Sequence, residues 1–368
     1  MVSVTVKYSS RPTVSVDFPA KHPAQVTVAD LKKAIHAKFP KLTPVRQRIT
    51  IPSPSAASDS KAKPTVLDVD VSTLATYGVP DSGAELRVKD LGPQVSWRTV
   101  FLLEYFGPLF IQPLIFYLSY KHGYSLASVL NAVGINALGK AAPYTPSALQ
   151  KTVLALQMLH YLKRELETIF VHKFSHATMP FRNIFKNCGH YWLLCGVSTA
   201  VALYRPAYSA SALRGTIFDD FNWIGMWTAA WAWAEFSNLL THLNLRNIRT
   251  PPGQPRKFPK GYGFDYVTCA NYLFESCAWV AISIMTCDPA MILFTAVSAG
   301  QMAEWAAKKH RVYKKEHGAK YPKNRKRMIP FMLLEDLSER KSGAVSGTGV
   351  GNTLQADPCS KWSGLTTV

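Results

Sequence analysis

Six apolar runs, most of them bordered by Lys or Arg, constrain this chain of 368 residues more than any other feature. They occupy residues 99–120, 149–161, 191–204, 221–240, 267–287 and 289–307. With flanking residues each reaches membrane length, since about 20 helical residues cross the hydrocarbon core. Residues 126–138 are short and rich in Gly and Ala, so the count is six spans, or seven. The competing reading is the core helices of a soluble protein, and the charge distribution argues against it. Only 18% of residues are charged, yet the net charge is +19. If the N-terminal residues lie in the cytosol, six spans place the basic segments 163–186, 246–260 and 308–327 on the cytosolic side. The opposite side keeps only Lys121, Lys140, Arg205 and Arg214. This asymmetry is the positive-inside pattern and predicts both termini in the cytosol. Basic residues that border apolar runs, rather than covering a soluble module, also argue against a nucleic-acid partner. The opening MVSVTVKYSSRPTV lacks the apolar h-region of a signal peptide, so insertion is expected to use internal spans. The six cysteines form no CxxC pair and read as small buried hydrophobes.

The first ninety or so residues differ in character. Val2, Val4 and Val6 alternate with polar residues, as do Val14, Val16 and Phe18, and Ser-Ser-Arg-Pro between them predicts a hairpin. Thr27 and Asp30 have capping-box spacing, and Leu31, Ile35 and Phe39 then mark one face of a helix that Pro40 stops. Residues 48–51 and 85–88 read as further strands, and residues 52–64, rich in Ser, Pro and Ala, as a loop. The order resembles a ubiquitin-like fold, without the Gly-Gly end that conjugation needs. The predicted organisation is therefore mainly α. A ubiquitin-like α+β domain spans residues 1–91, a polytopic membrane helical bundle 92–333, and a disordered tail rich in Ser, Gly and Thr 334–368.

Four constellations carry polar chemistry inside this apolar frame. Glu235, Asn238, His242, Arg246 and Arg249 fall within roughly 80° of one helical face at about 100° per residue. A polar stripe along a span is costly in lipid, which makes it a candidate functional site as well as a candidate structural network. Arg246 and Arg249 are suited to phosphates, and Asn238 to a carboxamide. The second is Asn271-Tyr272-Leu273-Phe274-Glu275, with Asn271 and Glu275 one turn apart. The third is His160-Tyr161-Leu162-Lys163-Arg164-Glu165, where a span nears the cytosol. Lys163 points about 200° away from Tyr161, so both line one cavity only if the site wraps the helix. The fourth is the basic run 308–327 with Lys309, Arg311, Tyr313 and Arg325, suited either to anionic lipid headgroups or to a dinucleotide's phosphates. No GxGxxG follows a strand, and HExxH, GxSxG and Walker motifs are missing. His172 and His176 lie one turn apart but lack a third ligand in sequence, so no metal is expected.

Taken in order, these constellations resemble the trans-2-enoyl-CoA reductases of very-long-chain fatty acid elongation, within the wider steroid 5α-reductase group. Supporting segments are DLGPQVSW at 90–97, ETIFVHKFSHATMP and RNIFKNCGHYW within 163–192, NYLFE at 271–275, KHRVY, and YPKNRKRMIPF. The resemblance implies NADPH held in the bundle on its cytosolic side. Cofactor residues carry over to Asn238, Arg249, Asn271, Glu275, Tyr313 and Arg325, with His242, Arg246 and Lys309 beside them. The catalytic residues of the enoyl reductases correspond to Lys163 and Tyr272. The ketone-gripping pair of the steroid reductases corresponds to Glu104 and Tyr161. Both assignments stand at this point, with Tyr272 as first choice for the proton donor. The resemblance further implies the endoplasmic reticulum membrane, long- and very-long-chain trans-2-enoyl-CoA as substrate, membrane lipids as surroundings, and the ketoacyl synthase, ketoreductase and dehydratase of the elongation cycle as partners. A steroid or polyprenol double-bond reductase, or a non-catalytic membrane scaffold, remains an alternative.

Overall fold

The computed structural model describes residues 2–8, 12–52, 64–123, 142–174, 178–251, 254 and 257–330. The chain divides into two units, one formed mainly by residues 1–97 and the other by the long helices.

In the first unit, β1 (Val2–Tyr8), β2 (Val14–Phe18), α1 (Val28–Lys38), β3 (Gln47–Ile51), β4 (Thr65–Val66) and β5 (Glu85–Asp90) follow in chain order. The sheet order is β2-β1-β5-β3-β4. β1 pairs antiparallel with β2, Val4 opposite Val16, and parallel with β5, Val6 opposite Leu86. Period-two alternation sends Val2, Val4, Val6, Ile49, Leu86 and Val88 to one face, where Leu31 and Ile35 of α1 cover them. Reciprocal bonds start α1: the Asp30 N–H donates to Thr27 Oγ1 at 3.1 Å, and the Thr27 N–H donates to Asp30 Oδ2 at 3.2 Å. Arg46 grips Asp90 with two bonds of 3.0 and 2.6 Å. That grip holds the Asp90 carboxyl below its ordinary pKa. A second, two-stranded sheet joins β6 (Gln94–Ser96) to β7 (Thr178–Pro180), a pairing with no local sequence signal.

The second unit is built from α2 (Trp97–His122), α3 (Ala148–Phe170), α4, α5 (Phe221–Asn247), α6 (Ala270–Thr286) and α7 (Pro289–His317). α4 is one continuous segment made of Asn183–Cys188, a π-helical stretch Gly189–Ser198, and Thr199–Leu203. Gln112 of α2 supports the π stretch: its Nε2 donates to Cys195 O at 3.0 Å, Gly196 O at 3.2 Å and Thr199 Oγ1 at 2.8 Å. Gly107 lets α2 and α4 approach closely, because a Cβ there would lie 2.0 Å from Trp192 Cδ1.

Two boundaries differ from the sequence reading. The apolar run ending at 161 and the basic loop from 163 are one helix to Phe170, and the run ending at 307 continues as helix to His317. In α3 the charges that suggested a loop are paired within the bundle, Lys163 to Glu235 and Arg164 to Glu167, so they no longer require water. Among the described residues one helix, α2, is long and apolar enough to cross a membrane by those measures. The segments 126–138 and 334–368, read as a doubtful span and a tail, lie outside the described residues.

Candidate active site

Helices α3, α5 and α6 bring the polar positions of three constellations together. On α3, His160, Lys163, Arg164 and Glu167 recur at three- and four-residue spacing, so they share a face. On α5, Glu235, Asn238 and His242 do the same.

His160 sits between two carboxylates. Its Nδ1 is 2.6 Å from Glu235 Oε1, and its Nε2 is 3.4 Å from Glu275 Oε1 on α6. Lys163 Nζ donates to Glu235 Oε2 at 2.8 Å and to Asn238 Oδ1 at 2.6 Å, and lies 3.4 Å from Glu167. Asn238 then donates through Nδ2 to the Asn271 carbonyl at 2.9 Å, tying α5 to α6. Trp279 Nε1 donates to Glu275 Oε1 at 3.3 Å. Asn271 Oδ1 is buried and has no hydrogen-bond partner among the described residues.

Arg164 is the hub of an adjoining cluster. Its Nη1 donates to Glu167 Oε2 at 2.7 Å and lies 3.3 Å from His242 Nδ1, and its Nη2 donates to Tyr105 Oη at 2.8 Å. Glu167, His172 and His242 bring ligand-type atoms within 4.8 Å of one another. The guanidinium already stands against two of the three, at Glu167 and His242. Electrostatically it is the cation this trio holds, and a divalent ion there would face Arg164 and Lys163 at short range. His176, the neighbour that sequence spacing suggested for His172, lies outside the described residues.

The four candidate catalytic residues fall in separate surroundings. Lys163 belongs to the Glu235–Asn238 network just described. Tyr272 is buried on α6 among Cys269, Met302, Ala306 and Met328, with Lys309 Nζ over its ring at 5.3 Å. Tyr161 is fully buried, and its hydroxyl donates to Cys195 Sγ at 2.9 Å on the π stretch. A thiol is a weak acceptor. The ring lies 6.0 Å from Trp279, which bonds Glu275. Glu104 is buried on α2 with Asn187 bonded to its carboxyl, while Oε1 has no partner among the described residues. Neither proposed pair, Lys163 with Tyr272 or Glu104 with Tyr161, forms a direct contact.

The remaining cofactor candidates lie toward the ends of α5 and α7. Arg246 is exposed in the last turn of α5, and Arg249 is half-buried just beyond it. Tyr313 lies 6.0 Å from Tyr321 ring to ring. Arg325 is buried: its Nη1 donates to Pro259 O at 2.9 Å, and its guanidinium stands about equally close to Phe258 and Tyr321. It thereby holds two loops together in addition to any ligand role. Sequence reasoning named His160 and Arg164 in a constellation without giving them a role, and omitted Tyr105 and Glu167. Glu167, three and four residues after Arg164 and Lys163, was detectable by helical spacing; Tyr105 was not.

The chain is 37% identical over 310 residues to a very-long-chain enoyl-CoA reductase of Dictyostelium discoideum, covering 84% of this chain and 93% of that one. The chain belongs to the very-long-chain enoyl-CoA reductase family. A Schizosaccharomyces pombe protein provisionally named an enoyl reductase is 44% identical over 261 residues, covering 71% and 80% of the two chains. A human trans-2,3-enoyl-CoA reductase-like protein is 30% identical over 316 residues, covering 83% and 77%. Residues 177–333 also match the family described as 3-oxo-5-alpha-steroid 4-dehydrogenase. That segment contains Asn238, Asn271, Glu275 and Arg325 but not Glu104, Tyr161 or Lys163. The matched segment thus contains the cofactor candidates and Tyr272, whereas Glu104, Tyr161 and Lys163 lie on α2 and α3 before it.

Proposed function

We propose that this chain reduces the carbon–carbon double bond of long- and very-long-chain trans-2-enoyl-CoA, with NADPH as the donor, in the endoplasmic reticulum membrane. The observation that carries the reading is the buried network joining Lys163, His160, Glu235, Asn238, Asn271 and Glu275. Buried ionisable groups on three helices are costly and mark a site more readily than a packing motif. The residues fit a nicotinamide dinucleotide. Asn271 Oδ1 can accept from a carboxamide N–H, and Arg246, Arg249 and Lys309 supply positive charge suited to phosphates. NADPH, when bound, supplies the hydride that the β-carbon of the conjugated thioester accepts. The protein's part is to stabilise the negative charge that develops on the thioester oxygen and to place a proton on the α-carbon. A tyrosine hydroxyl suits that task, from Tyr272 beside Lys309 or from Tyr161 beside Cys195.

The membrane reading rests on six long helical segments and their outward faces. Phe106, Phe110, Leu114 and Tyr117 of α2 are exposed in a stripe, as are Leu159, Leu162, Leu166 and Phe170 of α3 and Trp233, Phe236 and Leu240 of α5. Apolar stripes on this scale suit lipid better than water. The sheet order of the first unit supports a ubiquitin-like domain, the loop charge asymmetry favours the cytosolic side for it, and the elongation cycle's ketoacyl synthase, ketoreductase and dehydratase are the natural neighbours.

The test is NADPH oxidation by purified protein with a long-chain trans-2-enoyl-CoA against a matched steroid enone. Turnover of the enone alone would overturn the substrate assignment. Tyr272→Phe and Tyr161→Phe, compared in single-turnover oxidation, identify the donor. Loss of the proton donor is expected to lower the rate about 10²–10⁴-fold with NADPH still bound.

A further inference from the structure

A buried reaction that consumes one proton per turnover needs a route for it, and the structure contains one continuous line of groups able to serve. Lys163 Nζ, Glu235 Oε2, Glu235 Oε1, His160 Nδ1, His160 Nε2 and Glu275 Oε1 follow one another, the contacts being 2.8, 2.6 and 3.4 Å. Its two ends are partly open, with side-chain exposures of 18% for Lys163 and 17% for Glu275. Its middle is closed, at 7% for Glu235 and 2% for His160. A relay into a buried site needs one end open to solvent, the other open to the substrate, and a shielded middle. We infer that His160 relays the proton consumed in each reduction from Lys163 and Glu235 to Glu275.

Imidazole suits the position because it accepts at one ring nitrogen while releasing from the other. In the starting state Lys163 is an ammonium, Glu235 and Glu275 are carboxylates, and His160 is an imidazolium placed between them. The Nε2 proton of His160 moves to Glu275 Oε1. Lys163 passes a proton to Glu235 Oε2, and a half-turn of that carboxyl and of the imidazole brings the proton to the free ring nitrogen, which restores the imidazolium and the Glu235 carboxylate. Lys163 has then lost one proton, which solvent replaces, and Glu275 has gained one. The donor tyrosine gives its hydroxyl proton to the enolate, whose electron pair forms the new α-carbon–hydrogen bond, and Glu275 returns a proton to the tyrosinate. His160 acts here through Glu275, as a positioning and relay residue.

The inference rests on the proposed reduction of an enoyl thioester, and the experiment separates the two. His160→Gln preserves a buried polar side chain but cannot exchange protons between two atoms. In this variant, single-turnover oxidation of bound NADPH by long-chain trans-2-enoyl-CoA is expected to fall at least about tenfold. The NADPH dissociation constant should stay within about twofold, and the solvent deuterium isotope effect should rise. Added imidazole should restore rate to His160→Gly in a saturable manner. In the cofactor-free protein, the short Nδ1–Oε1 bond should give a far-downfield proton resonance that His160→Gln lacks. A His160→Gln rate within twofold of the parent overturns the relay. So does a slower rate accompanied by equally weakened NADPH binding and an unchanged isotope effect, since that pattern is packing alone. A parent protein that does not oxidise NADPH with the enoyl thioester overturns the functional reading, and the relay with it.

Discussion

Replacing Arg164 by Met should destabilise the helical unit more than most single substitutions. The guanidinium ties α3 to α5 and α2 through Glu167, His242 and Tyr105, with its carbon 5.0 Å from the centre of the Tyr105 ring. Met fills the volume but leaves Glu167 short of its nearest cation. Breaking a buried pair in this way costs about 3–5 kcal/mol. Glu167 retains His242 Nδ1 at 3.0 Å and Lys163 Nζ at 3.4 Å, which places the cost near the lower end. At about 2–4 °C per kcal/mol for a unit of this size, a cost of about 3 kcal/mol should lower the thermal midpoint in detergent by roughly 6–12 °C. Arg164→Lys should recover part of this, since one ammonium cannot bond Glu167 and Tyr105 with the geometry of a planar fork. The double variant Arg164→Met, Glu167→Met should cost less than the sum of the two single changes, because it removes the orphaned charge. A midpoint for Arg164→Met within about 2 °C of the parent, or strictly additive single changes, would refute the hub.

Gly107→Ala should lower the thermal midpoint, because a Cβ must displace Trp192 and break its Nε1 bond to Leu103 O; about 2–4 kcal/mol is expected from overpacking and the lost bond, relieved in a Trp192→Ala background. Arg249→Ala should weaken NADPH about 10–100-fold in a binding titration with acyl-CoA affinity kept, whereas Arg325→Ala should also lower the thermal midpoint because it unties Pro259. Asp90 has its pKa depressed by Arg46, so its contribution to stability is present above the ordinary carboxylate value of 3.8 and fades as pH falls through the depressed one. Hydrogen-exchange protection factors at β5 in the whole chain should therefore fall on acidification below about 4, and Asp90→Asn should remove that dependence. Epitope tags at both termini should be digested by protease in sealed microsomes, and a protected C-terminal tag would exclude the six-span arrangement.

The N-terminal sheet could be read from the chain because its signals are local. Alternating valines set β1 and β2, and Thr27 with Asp30 starts α1 where spacing placed it. β4 has two residues and no alternation to read, and the β6–β7 pairing joins segments more than 80 residues apart. Neither leaves a periodic trace. The long helices were legible as apolar runs, but their ends were not. Charges at 163–167 look like a loop when counted alone, and become helix interior once Glu235 on another helix pairs with Lys163 and Glu167 pairs with Arg164. Hydropathy measured helix by helix is lowered in the same way at α3 and α5, which contain charges that pair across the bundle; among the described residues α2 alone is long and apolar enough to cross a membrane.

The site was half legible for a related reason. Spacing on one helix aligned Glu235, Asn238 and His242, and it kept Asn271 with Glu275. It could not say which helix these faces meet. His160 appeared in the sequence as one residue of a span end, and nothing local distinguishes it from a packed histidine. Its role becomes visible only when α5 places Glu235 at one ring nitrogen and α6 brings Glu275 to the other. The same reasoning bears on the choice of tyrosine. Family resemblance favoured Tyr272 because Asn271 and Glu275 flank it in sequence, yet on a helix Tyr272 points about 100° from Asn271 and about 60° from Glu275, enough to meet different neighbours. Tyr272 accordingly faces Lys309 and α7, while Glu275 faces His160, and Tyr161 meets Trp279 on Glu275's side of the helix. If the proton arrives through His160 at Glu275, Tyr161 is the hydroxyl nearer to its delivery. The slower variant of the tyrosine pair should then be Tyr161→Phe, and a normal single-turnover rate in Tyr161→Phe beside a crippled Tyr272→Phe would place the reacting carbons on the Lys309 side instead.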